Sequence, residues 1–418
     1  MIQRRREPLA RVLSCTAVTS GAVEQTSSGK GPSGDSDLAL VLSGGGARAA
    51  YQVGVLRHLG SRYPDLCPGI LTGVSAGGLI ATVLAARPGS FGAAADDLSA
   101  IWRQLQMADV FRVDASDLLS RAVRWSLRLM SGGATRSSGV RSLVDTEPLH
   151  RLVLRTLGLD ANGPVPAIAR NLAAGRLDAV ALTASSYTTG QSVTWVQSRL
   201  GREVASWSGP RGRSVRCALR VEHVMASAAL PMFFPAVDVD GSWYGDGGIR
   251  LTAPLSPAVH LGARRILVVS TRYPRSISET EPPAAVNAYP PPAQVAGVLF
   301  NAVFLDLLDA DALRLQQVND LLRQLPDASR GRLRHVDLLV LRPSADLGRL
   351  ANEFEPDLPR SFRFMVRGLG SHETRSNDLL SLLMFQPDYI GRLIELGETD
   401  ARARAAEIDA FIQGTPPT

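Results

Sequence analysis

The chain has 418 residues, 45% hydrophobic and 20% charged, an ordinary globular composition long enough to bury a core without disulfides or structural metals. Its three cysteines (Cys15, Cys67 and Cys217) form no CxxC pattern, which excludes a disulfide scaffold and a zinc finger. The net charge of +6 rests on arginine, Lys30 being the one lysine among 45 basic residues. Such a surface suits phosphate-bearing partners, but no zinc-finger, RNP or basic-zipper pattern accompanies it, so no nucleic acid is expected.

Residues 1–37 read as a disordered tail. Arg4, Arg5 and Arg6 open it like a signal peptide, but Arg11, Ser14, Thr16 and Thr19 break the stretch before ~10 apolar residues accumulate. No later window holds ~18 uninterrupted apolar residues, so the expectation is a cytoplasmic or peripheral membrane protein.

Order is expected from Leu38. The apolar run Leu38–Leu42 ends in glycines, as a buried strand entering a tight turn does, and Ala47–Leu59 follows with helical spacing. Ile70–Val74 is a second buried strand, running into Ser75 and the small-residue helix Ala76–Ala86. Two strand–turn–helix units in succession argue for an α/β protein with a parallel sheet. Asp96–Asn171 is mostly helical, Ala179–Ser186 and Ser192–Gln197 form a hairpin, and Val221–Ala229 is a helix stopped by Pro231. Pro235–Val239 and Ser242–Tyr244 pair around Asp240-Gly241, and Arg265–Ser270 is another buried strand. The proline-rich stretch 276–296 reads as a linker or loop, followed by helices over Val298–Leu325, a short strand at Val336–Leu341 and a helical end from Phe362 to Ile412. The domains are therefore an α/β domain over 38–275 and a mostly helical C-terminal region, 297–418, packing on it.

Two glycine-rich turns carry the chemistry. In Ser43-Gly44-Gly45-Gly46-Ala47-Arg48, between strand and helix, backbone N–H groups can face outward at a helix start and receive negative charge. A dinucleotide pyrophosphate and the oxyanion of acyl transfer both fit such a loop. Gly73-Val74-Ser75-Ala76-Gly77 is a G-x-S-x-G sequence in the strand-to-helix setting that a nucleophile elbow needs. A dinucleotide fold would instead end its second strand on an acidic residue.

A serine needs a base. None of His58, His150, His223, His260, His335 and His372 lies in a glycine-flanked loop, whereas Asp246 sits in Tyr244-Gly245-Asp246-Gly247-Gly248, where almost no side chains obstruct its approach to a serine. An aspartate there is equally compatible with a plain turn.

Taken together, GGGAR, GVSAG and the later DGG closely resemble the patatin-like phospholipase family, over about Leu38 to Thr271. The stretches Leu143–Leu149 and Ala226–Pro231 are similar to those of its bacterial members. The resemblance implies a three-layer α/β sandwich with a mostly parallel central sheet, and a helical C-terminal extension. It implies Ser75 as nucleophile, Asp246 as base, the N–H groups of Gly44, Gly45 and Gly46 as oxyanion hole, and supporting roles for Arg48, Gly73, Gly77, Gly247 and Gly248. The implied activity is cleavage of fatty-acyl esters of phospholipids or other lipids through an acyl-enzyme, without metal or cofactor. Alternatives are an α/β-hydrolase-type esterase with a Ser75–Asp246–His260 triad, and a membrane-binding regulator with vestigial motifs. Arg121, Arg124 and Arg128 recur at helical spacing in Asp117–Met130 with Trp125, which suits either a core-packed helix or transient membrane contact.

Overall fold

The structure, a computed structural model, describes residues 35–112, 142, 144–202, 206–275, 292–304, 306–331, 333–359, 362–363 and 377–414. The arginine-bearing segment Asp117–Met130 and most of the proline-rich stretch lie outside the described residues.

Among the described residues, nine strands form one mixed sheet: β1 (Asp35–Leu42), β2 (Pro68–Val74), β3 (Ala179–Ser186), β4 (Ser192–Ser198), β5 (Gly212–Arg216), β6 (Val237–Val239), β7 (Ser242–Asp246), β8 (Arg265–Val269) and β9 (Asp337–Leu341). Their order is β5-β4-β3-β2-β1-β8-β9, with β7 joined to both β3 and β6. The β3–β2–β1–β8–β9 run is parallel throughout, while β3 meets β4 and β7 antiparallel. β1 lies between β2 and β8, so the chain crosses to opposite sides of it, the arrangement that leaves a crevice beyond the carboxyl ends of the strands.

The central strands carry apolar residues on both faces because both faces are covered. Leu38, Leu40 and Leu42 point into the larger core, with Leu71, Leu182 and Leu267; Ala39 and Val41 point into the smaller one, with Ile70, Ala181 and Val268. Over the larger core lie α1 (Ala50–Arg62), α2 (Ala76–Ala86), α3 (Phe91–Arg103), α4 (Glu147–Leu157) and α5 (Pro166–Ala173). Val221–Ser227 (α6) shares that core, and Ser256–His260 (α7) covers the opposite face. The fold is thus the α/β sandwich with helices on both faces of a mostly parallel sheet.

The C-terminal residues are woven into these layers. Pro292–Phe304 (α8) leads into Asp306–Gln324 (α9), whose Leu308 and Ala312 join the smaller core, and β9 extends the sheet beyond β8. Leu347–Phe354 (α10), Asp378–Leu383 (α11), Pro387–Ala403 (α12) and Ala405–Gln413 (α13) complete the chain. α12 crosses α1 in backbone contact: a Cβ at Gly54 would overlap the Ile394 carbonyl, and one at Gly397 would overlap the carbonyl of Tyr51.

Several boundaries differ from the sequence reading. β1 begins at Asp35, ahead of the apolar run, because main-chain pairing with Pro68 needs no apolar side chain. The expected helix from Ala47 opens as a 3-10 turn, Gly46–Ala49, before α1 starts at Ala50. The helix expected from Val298 begins at Pro292, taking up the last residues assigned to the linker; proline is tolerated in a first helical turn. β5, Gly212–Arg216, has only Val215 as an apolar residue and gave no strand signal.

Candidate active site

Ser75 follows β2 and precedes α2 with φ 55° and ψ −131°, a conformation a serine holds only under constraint. The constraint is close backbone packing. A Cβ at Gly73 would overlap the Gly77 carbonyl, and one at Gly77 would lie 2.5 Å from the Ser43 carbonyl oxygen. Only glycine permits β2, the elbow and the start of α2 to fold onto the end of β1. The Ser75 N–H donates to Ser227 Oγ at 3.0 Å, and that hydroxyl donates to the Thr183 carbonyl at 2.7 Å.

Sheet register delivers Asp246. β4 occupies one edge of β3 from Ala179 to Ser185, and β2 occupies the other as far as the Val74–Thr183 pair. β7 takes over that vacated edge, pairing Asp246 with Ala184. Asp246 therefore falls just past the residue that precedes Ser75. A Cβ at Gly247 would overlap the Thr183 carbonyl and come within 2.5 Å of Val74 Cγ2, so this glycine is what lets the turn approach.

The Asp246 carboxyl is fully buried. Its Oδ1 accepts the Gly248 N–H at 2.8 Å, while Oδ2 makes no well-aligned hydrogen bond. Burial pushes its pKa up to about 7, with the neighbouring Ser75 hydroxyl and the Gly248 N–H pulling the other way. The Ser75 side chain is thus the group beside an aspartate poised near neutrality. Tyr187 packs its ring against Gly245, and its phenol is raised by burial and by the charge of Asp246.

The glycine loop lies against the serine: a Cβ at Gly44 would stand 3.2 Å from Ser75 Cβ. Its carbonyls are tied away from that side. Gln52 Nε2 donates to the Ser43 carbonyl at 2.8 Å, and Thr271 Oγ1 to the Gly44 carbonyl at 2.7 Å. The N–H groups of Gly44, Gly45 and Gly46 have no backbone acceptor among the described residues. Arg48, only 3% exposed, binds Ser381 Oγ and Asp378 Oδ1, each at 2.6 Å.

An apolar pocket begins at Ser75 and Gly46 and runs between α2, α3 and α4. Its wall is almost wholly apolar, with Leu79, Trp102, Leu149, Val153, Phe234 and Phe385 among the lining side chains. A lining of this kind favours hydrocarbon over water, each buried methylene gaining ~0.8 kcal/mol.

The histidines lie elsewhere. His260 ends α7 with its ring stacked on Trp207 at 4.7 Å, and it makes no hydrogen bond with Ser75 or Asp246. His223 caps α6 through Nδ1, stacks on Trp195 and is pushed down to about 3 by burial and Arg220. His150 meets Asn162, His335 lies by Asp337, and His58 is on α1. His372 lies outside the described residues. No three His, Cys, Asp or Glu side chains gather as a metal site among the described residues.

Sequence reading missed Gln52, Ser227, Thr271, Asp378 and Ser381. Ser227 was in view within Ala226–Pro231 and Gln52 falls one helical turn after Arg48, but nothing local to Thr271, Asp378 or Ser381 marks them.

A family model described as Patatin-like phospholipase matches residues 40–259. Among solved structures, the chain resembles human GIVD cytosolic phospholipase A2 in complex with methyl gamma-linolenyl fluorophosphonate, at 14% identity and a TM-score of 0.42, covering 90% of this chain and 59% of that one. It also resembles VipD from Legionella pneumophila, at 12% identity and a TM-score of 0.35, covering 91% and 68%. The chain thus spans less than two thirds of the human protein's length. No curated protein matches it. No helix among the described residues is long and apolar enough to cross a membrane.

Proposed function

Because the chain belongs to the patatin-like phospholipase family, we propose that it is a serine lipid acyl hydrolase working through a Ser75–Asp246 dyad. The observation that carries this reading is the pairing of the strained elbow at Ser75 with a fully buried carboxyl whose Oδ2 is otherwise unbonded.

Asp246 Oδ2 takes the proton as Ser75 Oγ attacks the ester carbonyl. A carboxylate with an ordinary pKa near ~3.9 is a weak base at neutral pH; one raised to about 7 is matched to the task. The N–H groups of Gly44, Gly45 and Gly46 receive the oxyanion, preorganised because the loop's carbonyls are bound behind it. Collapse of the tetrahedral intermediate expels the alcohol, which recovers the proton from Asp246. Water, deprotonated by the same carboxylate, then attacks the acyl-enzyme carbonyl; the bond to Ser75 Oγ breaks, Ser75 takes the proton back from Asp246, and the fatty acid is freed. The apolar cavity beginning at Ser75 supports a fatty-acyl chain as the acyl group. A phospholipid or another acyl-ester lipid supplies it.

The test is labelling with a fluorophosphonate probe alongside hydrolysis of a fatty-acyl ester. Ser75→Ala is expected to lose both. Asp246→Asn is expected to lose ~10²–10⁴-fold in kcat, the range of a missing general base. Native-rate hydrolysis by Ser75→Ala overturns the reading.

A further inference from the structure

The family match ends at residue 259, yet the loop assigned to the oxyanion is held from the other end of the molecule. We propose that Asp378 and Ser381 are positioning residues for hydrolysis: by gripping Arg48 they fix the Gly44–Gly46 loop in the shape that receives the oxyanion. This rests on the dyad reading above.

Arg48 belongs to the 3-10 turn that opens at Gly46, and its N–H donates to the Gly45 carbonyl at 3.0 Å. Its guanidinium is buried and takes three contacts from α11: Ser381 Oγ at 2.6 Å, Asp378 Oδ1 at 2.6 Å and the Asp378 carbonyl at 3.1 Å. Ser381 Oγ in turn donates to that same carbonyl at 2.7 Å. The second Asp378 oxygen accepts from Asn301 Nδ2 at 2.6 Å, with Arg275 Nη2 at 3.4 Å, so the carboxylate is itself oriented. The Asn377 side chain caps the helix by accepting the Leu380 N–H at 3.2 Å.

Contact at the glycines is equally direct. Gly46 has φ +53°, and a Cβ there would overlap the Leu382 carbonyl. The loop is therefore pinned between Thr271 on one side and α11 on the other. A buried guanidinium whose carboxylate is removed must find water or move. Movement of Arg48 carries Gly46 with it, because only Ala47 separates them. Phe385, just past α11, also lines the apolar cavity, so the same C-terminal segment shapes both loop and tunnel.

The experiment measures kcat and KM separately on p-nitrophenyl butyrate, with melting temperature and far-UV circular dichroism, for Asp378→Asn, Ser381→Ala, Glu398→Gln and Ser75→Ala. Loss of the grip is expected to lower kcat ~10–100-fold while KM stays within about two-fold, as for a small misplacement of reacting groups. Glu398→Gln breaks the 2.6 Å pair with Arg57 between α1 and α12 and reports general packing: its melting temperature falls and its kcat does not. Should Asp378→Asn not fold, Ser381→Ala, which leaves no charge unpaired, carries the test alone. Native kcat in folded Ser381→Ala and Asp378→Asn overturns the proposal, as does an equal kcat loss in Glu398→Gln. An active Ser75→Ala overturns the dyad reading instead, whereas an inactive one beside native-rate grip variants overturns the grip alone.

Discussion

Ser75 and Asp246 arrive side by side by different routes. The elbow is a local device: Gly73 packs on Gly77, Gly77 packs on the end of β1, and the strained serine backbone follows from those overlaps. The aspartate turn is placed by sheet pairing instead. Asp246 is delivered by β7 taking the β3 edge that β2 leaves free; its N–H donates to the Ala229 carbonyl at 2.8 Å and its Oδ1 accepts the Gly248 N–H. A local device fails when its own residues change. A register-borne one fails when sheet pairing changes, and its side chain is tuned by burial rather than by charged neighbours.

Ala substitution at the elbow breaks the comparison most forcefully. Gly77→Ala would drive a Cβ into the main chain of Leu42 and Ser43, which cannot rotate away as a side chain can. A cost of about 3 kcal/mol or more is expected from such overpacking, read as a loss of folded protein in urea unfolding. Gly158→Ala is the contrast: φ is +65° but nothing stands within 4 Å, so the cost is about 1 kcal/mol.

The aspartate turn is sharpened by pH. With its pKa raised to about 7 in the fold, Asp246 is protonated below neutrality and cannot accept the serine proton, so kcat/KM should rise through an apparent pKa near that value. Stability runs the opposite way. The native carboxyl binds its proton more tightly than the unfolded one, so its stabilising contribution is complete below about 4 and is lost as pH climbs to about 7. Asp246→Asn removes that dependence and should gain about 3 kcal/mol on the native protein between pH 5 and pH 8, measured as the difference of two urea titrations. A pH-independent gap between the two proteins would show that burial does not tune this carboxyl.

The smallest effect is expected at His260. Its ring rests on Trp207 and hydrogen-bonds neither dyad residue, so His260→Ala should change kcat less than two-fold and cost ~1 kcal/mol of stacking. A kcat loss as large as that of Asp246→Asn would restore the triad alternative.

Much of this site was legible in the chain itself because its chemistry demands absent side chains. Gly46, Gly73, Gly77 and Gly247 mark places where backbone must approach backbone, and a run of glycines between an apolar strand and a helix is visible without coordinates. β1 was equally readable, since the run Leu38–Leu42 of a strand covered on both sides shows no polar break. β5 was invisible for the opposite reason: Gly212–Arg216 is held by main-chain pairing to β4 rather than by apolar burial.

The sequence by itself marked the elbow, the glycine loop and Asp246 as a candidate in a glycine-flanked turn, since each pattern lies within a few consecutive positions, while the role of base for Asp246 came from the family resemblance. Only the tertiary structure decided how Asp246 comes to lie beside Ser75, that its carboxyl is wholly dry, and that Arg48 is spent on Asp378 and Ser381. Those facts depend on sheet register and on contacts across more than three hundred residues of chain. No local pattern encodes them, because hydrogen-bond partners and burial are properties of what the rest of the chain brings near.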